Sequence, residues 1–168
     1  AQLGDVAWSL GDLDMARSGM QETVALLRKT PQTVMLGLCL SNLAGARLGL
    51  GEFEEAERLL REAIDLAGSA GYHVLPEAYR FLAEACLGQG RNEEALEAAR
   101  LALMLSRDES PDHLGHAWRV LGLVASRVGP VEIADETWSA EASFAEGVKV
   151  FERAEMNSER ARVLYDWG

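Results

Sequence analysis

The phrase Gly51-Glu52-Phe53-Glu54-Glu55-Ala56 has an echo on either side of it. Gly11-Asp12-Leu13-Asp14-Met15-Ala16 precedes it and Gly90-Arg91-Asn92-Glu93-Glu94-Ala95 follows it. Gly129 continues the series, so the glycines recur at intervals of about 40 residues. A fixed period of that size marks a chain built from stacked supersecondary units. Upstream of Gly51, Leu36, Leu40, Leu43 and Arg47 fall at helical spacing; downstream, Phe53, Ala56, Leu59, Leu60, Ala63 and Leu66 do the same. Each stretch is the apolar stripe of an amphipathic helix. One unit therefore reads as helix, glycine-centred turn, helix, because glycine enters the left-handed region without a Cβ clash.

Helix-start signals agree with this reading. Thr30-Pro31 and Ser110-Pro111 each set a capping hydroxyl before a proline, and Pro76 suits a first turn. Glu54-Glu55 and Glu93-Glu94 suit the positive end of a helix. No strand-like alternation of useful length is present. The spacing predicts helices over 1–10, 12–29, 31–50, 52–68, 74–89, 91–107, 111–128, 134–155 and 158–167.

These residues resemble a tetratricopeptide repeat (TPR) array, whose units carry bulky and small residues at set positions around a turn glycine. Leu40, Leu43-Ala44, Gly51, Ala56, Leu60 and Ala63 supply the pattern in the second unit. Tyr79, Leu82-Ala83, Gly90, Ala95, Ala99 and Ala102 supply it in the third. The first unit is cut short (Leu3-Gly4, Gly11, Ala16, Met20, Thr23). The fourth opens with Trp118, Leu121-Gly122 and Gly129, and then Ala140, Phe144 and Gly147 match only if about six residues, Pro130 among them, are inserted after Gly129.

The resemblance implies an all-α, right-handed superhelical solenoid of antiparallel hairpins, with one array over 1–168: a partial repeat over 1–30, repeats over 31–71, 72–109 and 110–156, and a fifth partial or capping helix over 157–168. The alanines at 44, 56, 63, 83, 95 and 102 would let helices approach to roughly 8–10 Å. A HEAT-type array has a similar period but would not call for them. The units exceed the usual TPR length of about 34 residues. That length, and the ending from Ala140 to Arg162, are similar to the MalT-like class, found C-terminal in large bacterial signalling ATPases, regulators and nucleotide cyclases. Ala1 falls inside a helix on this register, so the chain is expected to be part of a larger protein. Trp8 and Trp167 either face neighbours beyond it or pack within the terminal repeats.

Composition bounds the rest. The 168 residues carry 16 Lys+Arg against 27 Asp+Glu, a net charge of -11. The excess is spread over both halves, and an acidic surface of this kind repels phosphate backbones and anionic lipid. Nucleic acid and membrane are therefore not expected as partners. No window approaches the roughly 20 apolar residues of a membrane helix, and no signal-peptide pattern opens the chain. Two cysteines, Cys39 and Cys86, sit in apolar stretches, which excludes a disulfide framework and points to the cytoplasm.

No catalytic constellation emerges. The glycines are single, none precedes Lys-Ser or Lys-Thr, and no HExxH or nucleophile elbow is present. His113 and His116, three apart, have zinc-compatible spacing. Only Asp112 is close in sequence, so they read as a helix start with His116 on the groove side, and neither metal nor cofactor is expected. The run Glu52 to Glu57 reads as a solvated face with support from Arg58 and Arg61.

In the TPR family the first helix of each unit lines a concave groove. Carrying those positions over gives Asp5, Trp8 and Ser9, then Leu38, Ser41, Gly45 and Leu48, then Glu77, Arg80, Glu84 and Leu87, then His116, Arg119, Leu123, Ser126 and Arg127. The resemblance implies a non-enzymatic protein-interaction scaffold. A protein or peptide segment would be held there, Arg119 with Arg127 taking a carboxylate. The alternative is a small-ligand sensor that shifts self-association or a neighbouring ATPase or cyclase domain. The subtype that clamps chaperone tails is set aside: its Lys and Asn positions read Ala1, Asp5, Asn42, Glu77 and Phe81, and only Asn42 fits.

Overall fold

The structure, a computed structural model, describes residues 13–68 and 72–168. The first four helices of the described residues are α1 (Leu13–Leu27), α2 (Thr33–Gly49), α3 (Phe53–Ala67) and α4 (Leu75–Gly88). Four more follow: α5 (Asn92–Ser106), α6 (Pro111–Val128), α7 (Ala140–Arg153) and α8 (Asn157–Trp167). A 3₁₀ turn, Tyr72–Val74, leads into α4. The expected helix over 1–10, with Asp5, Trp8 and Ser9, lies outside the described residues.

Hairpin closure follows from the turn glycines. Gly51 has φ +77° and Gly90 has φ +73°. At the first, the Gly51 N–H donates to Leu48 O at 3.0 Å and the Glu52 N–H to Arg47 O at 2.9 Å. At the second, Gly90 N–H donates to Leu87 O at 3.0 Å and Arg91 N–H to Cys86 O at 2.9 Å. This is the Schellman arrangement, which satisfies the last carbonyls of one helix and turns the chain into the next.

Within each hairpin α2 packs on α3, α4 on α5 and α6 on α7; α3, α5 and α7 then pack on the helix that follows. α4 also touches α2 and α6, and α6 touches α8, so α2, α4, α6 and α8 stand side by side as one wall. The seams are lined as the spacing predicts: Ala44, Ala56, Ala63, Ala83, Ala95 and Ala102 are all fully buried. Leu40, Leu60, Leu103 and Leu121 fill the space between them. Cys39 and Cys86 are buried in this core and are not joined by a disulfide, and burial pushes the Cys86 thiol up from its ordinary pKa.

Three expectations need correction. Residues after Gly129 form a two-stranded hairpin, β1 (Val131–Ile133) with β2 (Glu136–Trp138), where no strand was predicted. Its turn residues Ala134 and Asp135 both have positive φ, +50° and +66°, the twist a two-residue hairpin needs. α7 consequently begins at Ala140 rather than 134, capped by Ser139, whose Oγ accepts from Ala142 N at 3.2 Å. Thr30 does not start α2: its hydroxyl donates back to Leu27 O at 2.8 Å, and the helix opens two residues past Pro31. Ser110 does cap α6, accepting from His113 N. Finally, the acidic run on α3 is more than a solvated face. Arg17 bonds Glu52 at 2.7 Å from α1, and Arg91 and Gln89 bond Glu57 from the next unit, so these carboxylates link repeats.

Candidate functional site

The inner wall carries two layers. One is a ladder of paired charges. Arg80 is buried, donates to Glu77 at 3.0 Å and lies 3.9 Å over the Phe81 ring. Arg119, 4% exposed, donates from Nη1 to Glu84 at 2.9 Å and from Nε to Asp166 of α8. Burial disfavours a charged Arg119, yet Glu84 and Asp166 outweigh that and raise its pKa. Burial likewise raises the Glu84 carboxyl, but Arg119 and Arg80 hold it below its ordinary value. The Arg119 guanidinium is thus already satisfied from within, and the expectation that it takes a partner's carboxylate gives way to an internal clamp between α4, α6 and α8.

The second layer is an open cleft of ≈ 490 Å³ running from α2 across α4 and α6 to α8. Its apolar lining is Leu48, Phe53, Phe81, Leu87 and Leu123, with Gly45, Gly49 and Gly88 among them. Ser126, Arg127 and Arg162 line its polar side, with Glu84 at its edge. Arg127 is exposed and has no side-chain hydrogen bond or ion pair among the described residues. Arg162 makes no ion-pair contact with a described carboxylate; desolvation on the crowded wall, and then the charge of Arg119, lower its pKa.

Of the groove residues read from sequence, Leu48, Glu84, Leu87, Leu123 and Arg127 come together here, with Gly45 and Ser126. Leu38 is half-buried against the core, and Ser41 is fully buried with its hydroxyl unpartnered. Glu77, Arg80, His116 and Arg119 belong to the charge ladder rather than the cleft. Phe53, Phe81 and Arg162 were missed. Arg162 was legible: it stands one unit on from Arg119, as Glu159 does from His116 and Asp166 from Leu123, had the register been carried into the last helix.

Among the described residues, two clusters have metal-ligand chemistry. Asp112, His116 and Glu159 meet between α6 and α8, and Glu57, Cys86 and Glu94 between α3, α4 and α5. His113 does not join His116. No helix among the described residues is long and apolar enough to cross a membrane.

A stack of helical hairpins with alanine seams and an open inner wall defines an all-α helical-repeat solenoid. Two family models, each described as a tetratricopeptide repeat, match residues 1–69 and residues 76–100, so the chain carries tetratricopeptide repeats. Two crystal structures of a Podosopora anserina kinesin-light-chain-type protein with nearly identical TPR-like repeats share the fold. One, a single-substitution variant, aligns at TM-score 0.63 and 17% identity over 99% of this chain and 80% of that one. The other aligns at TM-score 0.55 and 16% identity over 99% and 90%. Comparison with curated protein sequences finds no match.

Proposed function

We propose that this chain is a non-enzymatic interaction scaffold whose inner cleft holds an extended segment of a protein partner. The observation that carries this is the cleft itself: an apolar lining flanked by two guanidiniums, Arg127 and Arg162, neither of which makes an ion pair with a described carboxylate. In a chain of net charge -11, two arginines lining one cleft with no ion pair among the described residues favour an acidic group on the partner. The apolar lining supplies affinity and the arginines supply register. TPR arrays serve generally as protein-binding scaffolds, which supports the reading. We further propose that the array serves as the C-terminal repeat region of a bacterial multidomain signalling protein in the cytoplasm, as the long MalT-like units imply.

Selection from a random peptide display library tests the binding reading. Enriched sequences should place a bulky apolar residue near an acidic one, and Arg127→Ala with Arg162→Ala should weaken them by tenfold or more, about 1.4 kcal/mol. Enrichment of basic peptides, or indifference to the double substitution, rejects it. A small-ligand sensor is the second reading, favoured by a cleft volume within the range of small-molecule sites. A metabolite that raises the melting temperature and competes with no peptide would favour it.

A further inference from the structure

Asp112 and His116 stand four residues apart at the start of α6 and so share one helix face. Glu159 reaches the same point from the first turn of α8. His116 Nε2 is 2.9 Å from Glu159 Oε2 and 3.6 Å from Asp112 Oδ1, and one donor atom of each residue lies within 4.8 Å of the other two. The imidazole is 4% exposed, and its Nδ1 is buried without a hydrogen-bond partner. Its polar contacts therefore converge on this spot. One N–H cannot serve both carboxylates: it reaches Glu159 and leaves Asp112 beyond hydrogen-bond range. A cation takes an electron pair from all three at once.

We propose that Asp112, His116 and Glu159 form a binding site for a divalent first-row transition-metal ion that ties α8 to α6. One nitrogen and two carboxylate oxygens are borderline donors of the kind Zn²⁺ accepts, with water completing the shell. Tetrahedral bonds of about 2.1 Å set donors about 3.4 Å apart, and the two observed separations bracket that spacing. Ca²⁺ and Mg²⁺, which take oxygen sets, are disfavoured by the imidazole. The site is separate from the peptide cleft, so neither reading depends on the other.

Isothermal titration of the chelator-stripped chain with Zn²⁺ tests it. One equivalent should bind and raise the melting temperature, while Mg²⁺ and Ca²⁺ should not. Asp112→Asn and Glu159→Gln should each weaken Zn²⁺ by more than about tenfold. These variants keep side-chain shape and carry the decision, since His116 packs edge-on against Phe151 at 5.1 Å and its removal disturbs the core. Cys86→Ser should bind Zn²⁺ as the parent does, and Co²⁺ should give d–d bands without thiolate charge transfer. Absence of binding, unchanged affinity in either carboxylate variant, or loss in Cys86→Ser, which would move the metal to the Glu57–Cys86–Glu94 cluster, overturns the proposal.

Discussion

A methyl group added at Gly115 would sit 2.4 Å from the Phe151 ring, and one at Gly122 would sit 2.7 Å from the Phe144 ring. Both rings are held in the core, so neither can swing clear. Gly115→Ala should therefore destabilise the chain by about 1–3 kcal/mol, read from urea unfolding. The alanine seams could be read in advance because a small residue recurring at one position is itself a signal. Gly115 stands outside that pattern, and its role shows only once Phe151 is seen across the seam. The same limit applied to Arg119. Its charge marked it as a ligand for a partner, but its carboxylates come from other helices, Glu84 on α4 and Asp166 on α8. Arg119→Ala removes the ion-pair partner that Glu84 and Asp166 share and should cost about 3–5 kcal/mol. Arg127→Ala, on the surface, should change stability by less than about 0.5 kcal/mol. Comparing their unfolding curves separates the arginine held inside the fold from the one on its surface.

Two departures at the scale of elements have local causes. The β1–β2 hairpin occupies the six-residue excess that the fourth unit needed, so the position of the insertion was legible and its conformation was not. Strands of three residues are too short to show alternation, and Ala134-Asp135 lacks the Asn-Gly or Asp-Gly pair that announces such a turn. Trp138 packs on Trp118 with the rings tilted at 49° and centroids 4.5 Å apart, a tertiary contact that anchors the hairpin to α6. The second departure is at the end of α7. Met156 N–H donates to Phe151 O at 2.9 Å and Glu155 N–H to Glu152 O at 3.2 Å, the same closure seen after Gly51 and Gly90. Here the left-handed residue is Glu155, at φ +57°. A Cβ in that region is strained, so Glu155→Gly should stabilise the chain by about 0.5–1 kcal/mol in spite of glycine's looser unfolded state. A lower midpoint in urea would contradict this account of the turn.

Across the whole array, charge pairs reach from unit to unit. Glu57 is lowered by Gln89 and Arg91 against the opposing effect of burial, Glu84 by Arg119 and Arg80 against the same, and Glu159 chiefly by its bond to His116. A carboxylate whose folded pKa is depressed contributes stability above its unfolded value and loses it as pH falls through the folded one. For Glu84 the contribution is complete above its ordinary 4.5 and is lost below that. Stability should therefore fall as the pH drops below about 4.5, and Glu84→Gln should remove part of that slope. An equal slope in the variant would place the acid sensitivity elsewhere.

The repeat, the helical class and the alanine seams were determined by the sequence alone, because period and residue size are properties of a one-dimensional string. Which charges stay free for a partner was decided only by the tertiary structure. An arginine's availability depends on whether a carboxylate from a distant unit reaches it, and only superhelical stacking brings Asp166 to Arg119 while leaving Arg127 and Arg162 open to the cleft.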